Sequence, residues 1–180
     1  MMRLLCVTLV IAILSCPWQS ATGSPSSLYA QQQGQEHLRI ELSPLDLIGN
    51  GDERPFLVGT KVRLKVIAKN DSDQRIAVIT FDSHYQNRPQ LYRDNKLVPY
   101  RPKTAKLVQS KDNRPEFVND PDDLMIEPYS SVTLPNLDLT EWYGPLPPGS
   151  YRLINRYRFN LEGPWSADSA PVEFRVTTQP

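Results

Sequence analysis

Apolar and polar side chains alternate with a period of two through most of the chain after residue 37. That period belongs to strands that lay one face on a core. In "HLRIELSP", Leu38, Ile40 and Leu42 share one parity, Arg39 and Glu41 the other, and Pro44 closes the strand. "GTKVRLKVIAKNDSDQ" alternates most clearly: Val62, Leu64, Val66 and Ala68 turn inward, and Lys61, Arg63, Lys65 and Lys69 outward, with Ile67 the exception. Asn70-Asp71-Ser72-Asp73 supplies the turn that follows. "RIAVITFDS" returns with Ala77, Ile79 and Phe81 on one face and Ile76, Val78 and Thr80 on the other, the pattern of a central strand covered on both sides. "PQLYRDNKLVPY" predicts a hairpin turning at Asp94-Asn95, placed at a sheet edge by Pro89 and Pro99.

"TAKLVQ" reads as a further strand, and Ser110 to Asp123 as loop. Strands are expected around Leu124 to Ile126 and Ser131 to Leu134. "TEWYGPLPPG" is a connection with room for one helical turn, and "APVEFRVTT" is a last strand with Val172, Phe174 and Val176 inward. No helical period runs beyond about a turn outside the N-terminal leader. About eight short strands separated by turn residues predict an all-β, antiparallel sandwich.

"LPPGSYRLINRYRFN" combines clean alternation with three arginines. Tyr151, Leu153, Asn155, Tyr157 and Phe159 fall on one parity; Arg152, Ile154, Arg156 and Arg158 fall on the other. Burying one large apolar side chain is worth roughly 1.5–3 kcal/mol, so the first set takes the core. The register then forces Arg152, Arg156 and Arg158 outward. Lys61, Arg63, Lys65 and Arg175 face outward on their own strands, so a basic outer face is expected, interrupted by Glu41 and Glu173. The default for such a row is a solvated surface with cross-strand pairs of roughly 0.2–1 kcal/mol each. As a binding face it suits an acidic protein or a glycan, although the aromatics of this strand point the other way. Trp142, Tyr143 and Trp165 lie in the connections flanking the strand, where each either plugs an end of the core or contacts a partner.

The corner before this strand carries a resemblance. Tyr151 follows Pro147, Pro148 and Gly149 and stands two residues before the inward Leu153. The arrangement resembles immunoglobulin-like and fibronectin type III-like domains, in which a tyrosine opening the penultimate strand ties the corner with its hydroxyl. The likeness covers roughly residues 38–178 by strand pattern, and its specific motif is "LPPGSYRL". Leu153 stands where antibody domains carry a cysteine, which excludes the disulfide-bonded subtype. "VGTKVRLKVIAKNDSD", the strand ending "FDS" and the corner together look like exported bacterial domains of unassigned function. More distantly, Glu141-Trp142 to Tyr151 is similar to the "EW…PPGSY" corner of the bacillus-type intracellular proteinase inhibitor family. That resemblance implies a small β-sandwich and an inhibitory role. The family's reactive segment matches no residue here, and its intracellular label departs from the leader described next.

Charge balance and the N-terminus lead to an expectation about compartment. The 180 residues include 20 basic and 20 acidic ones, so no global field favours nucleic acid or an anionic membrane. The N-terminus has one early charge, Arg3, then an apolar run from Leu4 to Leu14. That run is shorter than the roughly 20 residues a membrane span needs, and fits a secretory signal peptide. Ala21 and Gly23 suit cleavage before Ser24, with a second site after Ala30. The expected organisation is a signal peptide over 1–23, a polar disordered tether over 24–36, and one sandwich domain over 37–178, with no transmembrane segment in the mature chain. Both cysteines, Cys6 and Cys16, lie in the leader; Ile13-Leu14-Ser15-Cys16 resembles a bacterial lipobox and makes Cys16 a candidate for acylation. The domain is therefore expected to be periplasmic or secreted, with a lipid anchor at Cys16 as the alternative.

Candidate chemistry is sparse. Asp82-Ser83-His84 holds the letters of a hydrolase triad, but strand neighbours point to opposite faces and no G-x-S-x-G elbow exists, so it reads as a strand end and turn. His37 and His84 are the only histidines, too few for a zinc site without distant carboxylates. Asp120, Asp122 and Asp123 offer oxygen ligands for calcium but lack the spacing and glycine of an EF-hand, and read as a solvated loop. Neither metal nor cofactor is expected. Asn70-Asp71-Ser72 matches a glycosylation sequon. These features point to a non-enzymatic binding module of the bacterial cell envelope with a protein or glycan partner. A proteinase inhibitor is the alternative, and a hydrolase the third reading.

Overall fold

The structure, a computed structural model, describes residues 34–45, 55–113 and 122–178. The segment read as a leader, with Cys16, most of the segment read as a tether, and Asp120 lie outside the described residues. The described residues form ten strands: β1 (Leu38–Pro44), β2 (Phe56–Leu57), β3 (Arg63–Asn70), β4 (Ile76–Thr80), β5 (Gln90–Arg93), β6 (Lys96–Leu97), β7 (Asp122–Ile126), β8 (Ser131–Asp138), β9 (Gly149–Ile154) and β10 (Val172–Thr177). Three helices join them: α1 (Ser83–Gln86), α2 (Pro102–Asn113) and α3 (Leu139–Tyr143).

The strands form sheets of order β1-β3-β8 and β2-β10-β9-β5-β6, and a β4-β7 pair. Every pairing is antiparallel except β2 with β10. The alternation of β3 is realised, with Val62, Leu64, Val66 and Ala68 all buried. Its register against β8 shifts between Leu64, opposite Leu137, and Val66, opposite Leu134. The extra residue on β8 is accommodated beside Pro135, which has no N–H to give a ladder. The β5–β6 hairpin turns at Asp94 and Asn95, both with positive φ (49° and 62°), and β6 is an edge of its sheet.

One apolar core draws on all the sheets. Leu38, Val66 and Leu134 meet Leu91, Leu153 and Val176, with Val78 and Ile126 from the strand pair and Trp142, Tyr157 and Phe159 from the connections. β4 is flanked on one side by β7 and on the other by the chain beyond β9, where Ile79 N donates to Phe159 O at 3.0 Å. The chain from β4 to β5 then stays alongside this extension: Arg158 N donates to Gln86 O and Arg88 N to Arg156 O. α1 is a one-turn interruption of that run. The Tyr151 hydroxyl donates to Pro147 O at 2.6 Å and closes the corner. The Tyr151 ring stacks on Phe174 with centroids 5.3 Å apart.

Two expectations are corrected. "TAKLVQ" and the residues after it form helix α2, not a strand and loop. Pro102 opens the helix, Lys103, Ala105, Lys106 and Leu107 favour it, and Thr104, Val108 and Lys111 are buried along one face. Asp122 and Asp123 belong to strand β7 rather than to an acidic loop, and β8 continues to Asp138. The Asn70 side chain is only 1% exposed and its amide is fully engaged, so the sequon is closed in the folded domain.

Candidate functional site

The arginine row is positioned by what lies beneath it. Tyr151, Leu153, Asn155, Tyr157 and Phe159 are all buried, which turns Arg152, Arg156 and Arg158 toward the other face, where each is half-buried. Asn155, the polar member of the buried set, is satisfied: its Nδ2 donates to Asn87 Oδ1 at 2.8 Å and its Oδ1 accepts from Arg88 N at 3.1 Å.

Aromatic rings cover the arginines, and they come from neighbouring strands rather than from β9. Arg152 lies over Tyr92, its register partner on β5, 4.6 Å from the ring centroid. Arg158 is held between Tyr85 at 4.6 Å and Trp165 at 4.4 Å, and Trp165 is its bridge partner. The expectation that the aromatics point away from the row therefore holds for β9 alone. Arg156 takes a third course, its Nε 3.5 Å from Asp168 Oδ1.

The guanidinium groups of Arg152, Arg158 and Arg175 make no hydrogen bond and no ion pair with any described residue, and Arg158 Nε is buried without an acceptor. Each guanidinium carries five N–H donors. On the outer face of the three-stranded sheet most basic residues are paired, Lys65 excepted, which lies opposite Ser43 and has no ion pair with a described residue. Lys69 reaches Glu41 at 2.6 Å, Lys61 reaches Asp138 at 3.8 Å, and Arg39 is bound by Asp71.

Arg88 also stacks on Trp165, at 4.7 Å, but its Nη groups are engaged. Its Nη1 donates to the carbonyls of His84, Tyr85 and Asn87, and its Nη2 to Asp112. Burial lowers the pKa of Arg88, against the pull of Asp112. Arg88 thus anchors Trp165 to α2, while Arg158 keeps its donor edge unused.

At the other end of the row a groove of about 690 Å³ is lined by Tyr92, Asn95, Ser150, Arg152, Glu173 and Arg175, among others. Glu173 lies directly across from Arg152 in the β9–β10 register, and Arg175 across from Ser150. Glu173 forms no ion pair with a described residue either. The groove therefore presents donors and acceptors side by side, neither committed to the other.

The other candidates have structural roles. Trp142 is 1% exposed and belongs to the core, which corrects its assignment as a contact residue; the end of the core is where α3 inserts it. It stacks on His84 at 4.9 Å and meets Tyr100 edge-on at 5.2 Å. The Tyr143 hydroxyl donates to Pro89 O at 2.8 Å and accepts from Leu91 N at 3.1 Å, and burial raises its pKa. Tyr143 therefore ties α3 to β5 rather than facing outward. Gly149 sits where a Cβ would come 2.8 Å from Arg93 Nε, and Arg93 in turn donates to Pro148 O at 2.7 Å.

Asp82, Ser83 and His84 diverge. Asp82 Oδ1 caps α1, accepting from the His84 and Tyr85 N–H groups at 2.8 and 3.2 Å. Its Oδ2 lies 2.9 Å from Lys111 Nζ, an ion pair not aligned as a hydrogen bond. The His84 ring faces Trp142, Ser83 Oγ accepts from Asn87 Nδ2 at 3.3 Å, and burial lowers the His84 pKa. Among the described residues no three His, Cys, Asp or Glu side chains group to hold a metal, and no helix is long and apolar enough to cross a membrane.

Tyr85, Arg88, Tyr92 and Asp112 were not legible as site residues. Their roles follow from cross-strand register and from helix α2, which the alternation pattern hid.

The sequence matches no known family model and no curated relative. Among solved structures it has a likeness to the β-glucosidase from Listeria innocua in complex with glucose, at 14% identity and TM-score 0.37, over 78% of this chain and 16% of that one. The chain thus spans about a sixth of that enzyme's length, and a likeness this slight assigns neither fold nor activity.

Proposed function

We propose that the protein is an exported, non-enzymatic binding module of the bacterial cell envelope, built as an immunoglobulin-like β-sandwich. Its partner docks on the outer face of the five-stranded sheet. The sheet orders support the sandwich: β1-β3-β8 corresponds to one layer of such a domain and β10-β9-β5 to the other. The tyrosine tie at Pro147 supports it further. The leader pattern of residues 1–23 supports export.

One observation carries the binding reading. Arg152, Arg158 and Arg175 present unused donors on one face, and two of them lie against aromatic rings. Stacking restrains a long side chain before a partner arrives, which lowers the entropy cost of contact. A protein or glycan bearing acidic groups complements that face.

The test compares capture from envelope extracts by the natural protein and by the Arg152→Gln, Arg158→Gln, Arg175→Gln triple variant, at low and high salt. The natural protein is expected to retain a partner that the variant loses and that salt releases. Equal recovery by both forms overturns the reading.

A further inference from the structure

We infer that the ligand of this face is an acidic glycan, a hydroxyl-rich chain whose carboxylates seat edge-on against Arg152 and Arg158. The inference rests on the binding-face reading above and names its ligand class. The first argument is the shape of the Arg158 site. Tyr85 and Trp165 lie against the guanidinium and its Nε is buried, so the Nη1–Nη2 end is the edge left to a ligand. A planar two-oxygen acceptor matches that edge with two parallel hydrogen bonds.

The second argument comes from Glu173. Beside Arg152 and Arg175 in the groove stands a carboxylate with no cation bound. A ligand that offered anions alone would meet repulsion there. A ligand that also carries hydroxyl donors satisfies Glu173 while its carboxylate takes the arginine. Asn95 and Ser150 extend the same mixed polarity.

The third argument excludes an extended peptide as the better fit. β9 is paired on both sides, with β10 and with β5, so its backbone N–H and C=O groups are committed to ladders. A peptide lying along it finds no backbone partners and leaves its own amides unpaired. A glycan has no amide backbone to satisfy. Finally, Arg152 and Arg158 are six residues apart on one parity, up to roughly 20 Å at strand rise, with Arg156 between them. Two arginine stations at that separation suit a chain rather than a single small acid.

The test measures binding of the full chain by calorimetry to oligomers of a polyuronate, to neutral hexose oligomers of equal length, and to polyglutamate. Polyuronate is expected to bind in a salt-sensitive manner, with neutral oligomers at least tenfold weaker. Arg152→Gln and Arg158→Gln are each expected to weaken polyuronate about tenfold, the loss of one charge-assisted fork. Glu173→Ala is expected to weaken it as well, because hydroxyls lose their acceptor. Tighter binding by Glu173→Ala overturns the glycan inference, since it means Glu173 only repels. Polyglutamate binding as tightly as polyuronate also overturns it, while leaving the binding face intact. If no probe binds but the triple variant still loses its envelope partner, the glycan inference alone fails. If that comparison is also flat, both fail. Unchanged backbone amide spectra of each variant show that the fold is kept.

Discussion

Asn70 makes the sharpest test of how the domain holds its shape. It ends β3 with its side chain 1% exposed. Nδ2 lies 2.6 Å from Gln74 O, 3.2 Å from Ile126 O and 3.2 Å from Glu127 O, and Oδ1 accepts from the N–H and hydroxyl of Ser72 at 2.9 and 2.7 Å. One amide thus joins the β3–β4 turn to the β7–β8 turn. The latter turn holds Tyr129 at φ 52° and 75% exposed, a conformation a tyrosine rarely adopts unaided. A net hydrogen bond is worth about 0.5–1.5 kcal/mol, and the two Nδ2 hydrogens plus two accepted bonds set the ceiling. Some of the released turn carbonyls regain water, so Asn70→Ala is expected to cost about 2–4 kcal/mol in urea unfolding at pH 7. Asn70→Asp supplies a second measurement. Its carboxylate faces carbonyl oxygens, which raises the folded pKa of the introduced acid above its unfolded value. The folded state then binds the proton more tightly, so the variant gains stability as pH falls from 7 toward 4. A cost below about 1 kcal/mol for the alanine variant, or no pH gain for the aspartate, refutes the hub.

Two further outcomes follow from the α1–α2 contact. Lys111→Met leaves the Asp82 carboxylate buried without its cation and is expected to cost about 3–5 kcal/mol in urea unfolding; adding Asp82→Asn, which keeps the α1 cap, is expected to recover most of that loss. Burial lowers the His84 pKa below its unfolded value, so stability is full above about pH 6.5 and is lost as pH falls through the folded pKa; His84→Gln should flatten that dependence between pH 7 and 5, and a ring titration at or above the unfolded value would count against it.

Alternation exposed the arginine row and the core of β3 because those strands bury apolar groups directly, and a two-residue period survives any sheet order. Helix α2 was hidden because it docks by other means. Of its three buried residues only Val108 is apolar; Thr104 Oγ1 donates to Glu141 O at 2.7 Å, and Lys111 reaches Asp82. A pattern built on apolar spacing has little to read there. The fate of Trp142 depended on His84 and Tyr100 converging from other segments, which local spacing does not encode. The ring partners of Arg152 and Arg158 were out of reach for the same reason: Tyr92 and Trp165 become neighbours only once the register is known.

The contrast between the two basic surfaces carries the functional argument. If the outer arginines served only solubility, the simplest arrangement would be that of Lys61, Lys69 and Arg39 at the three-stranded sheet, each of which meets a carboxylate, while Lys65 beside them meets none among the described residues. Such pairs contribute little, but nothing opposes them. Across β9 and β10 the same option exists, because Glu173 stands directly opposite Arg152. Arg152 instead lies on Tyr92, and Arg158 lies between two rings. A cation on an aromatic face gains about as much as an exposed ion pair while leaving its donor edge free. Two positions on one strand make that choice, and a carboxylate within reach is left unpaired beside one of them. The result is a face whose charges are oriented by the protein and neutralised by none of its described residues, which is the condition a partner of mixed polarity requires.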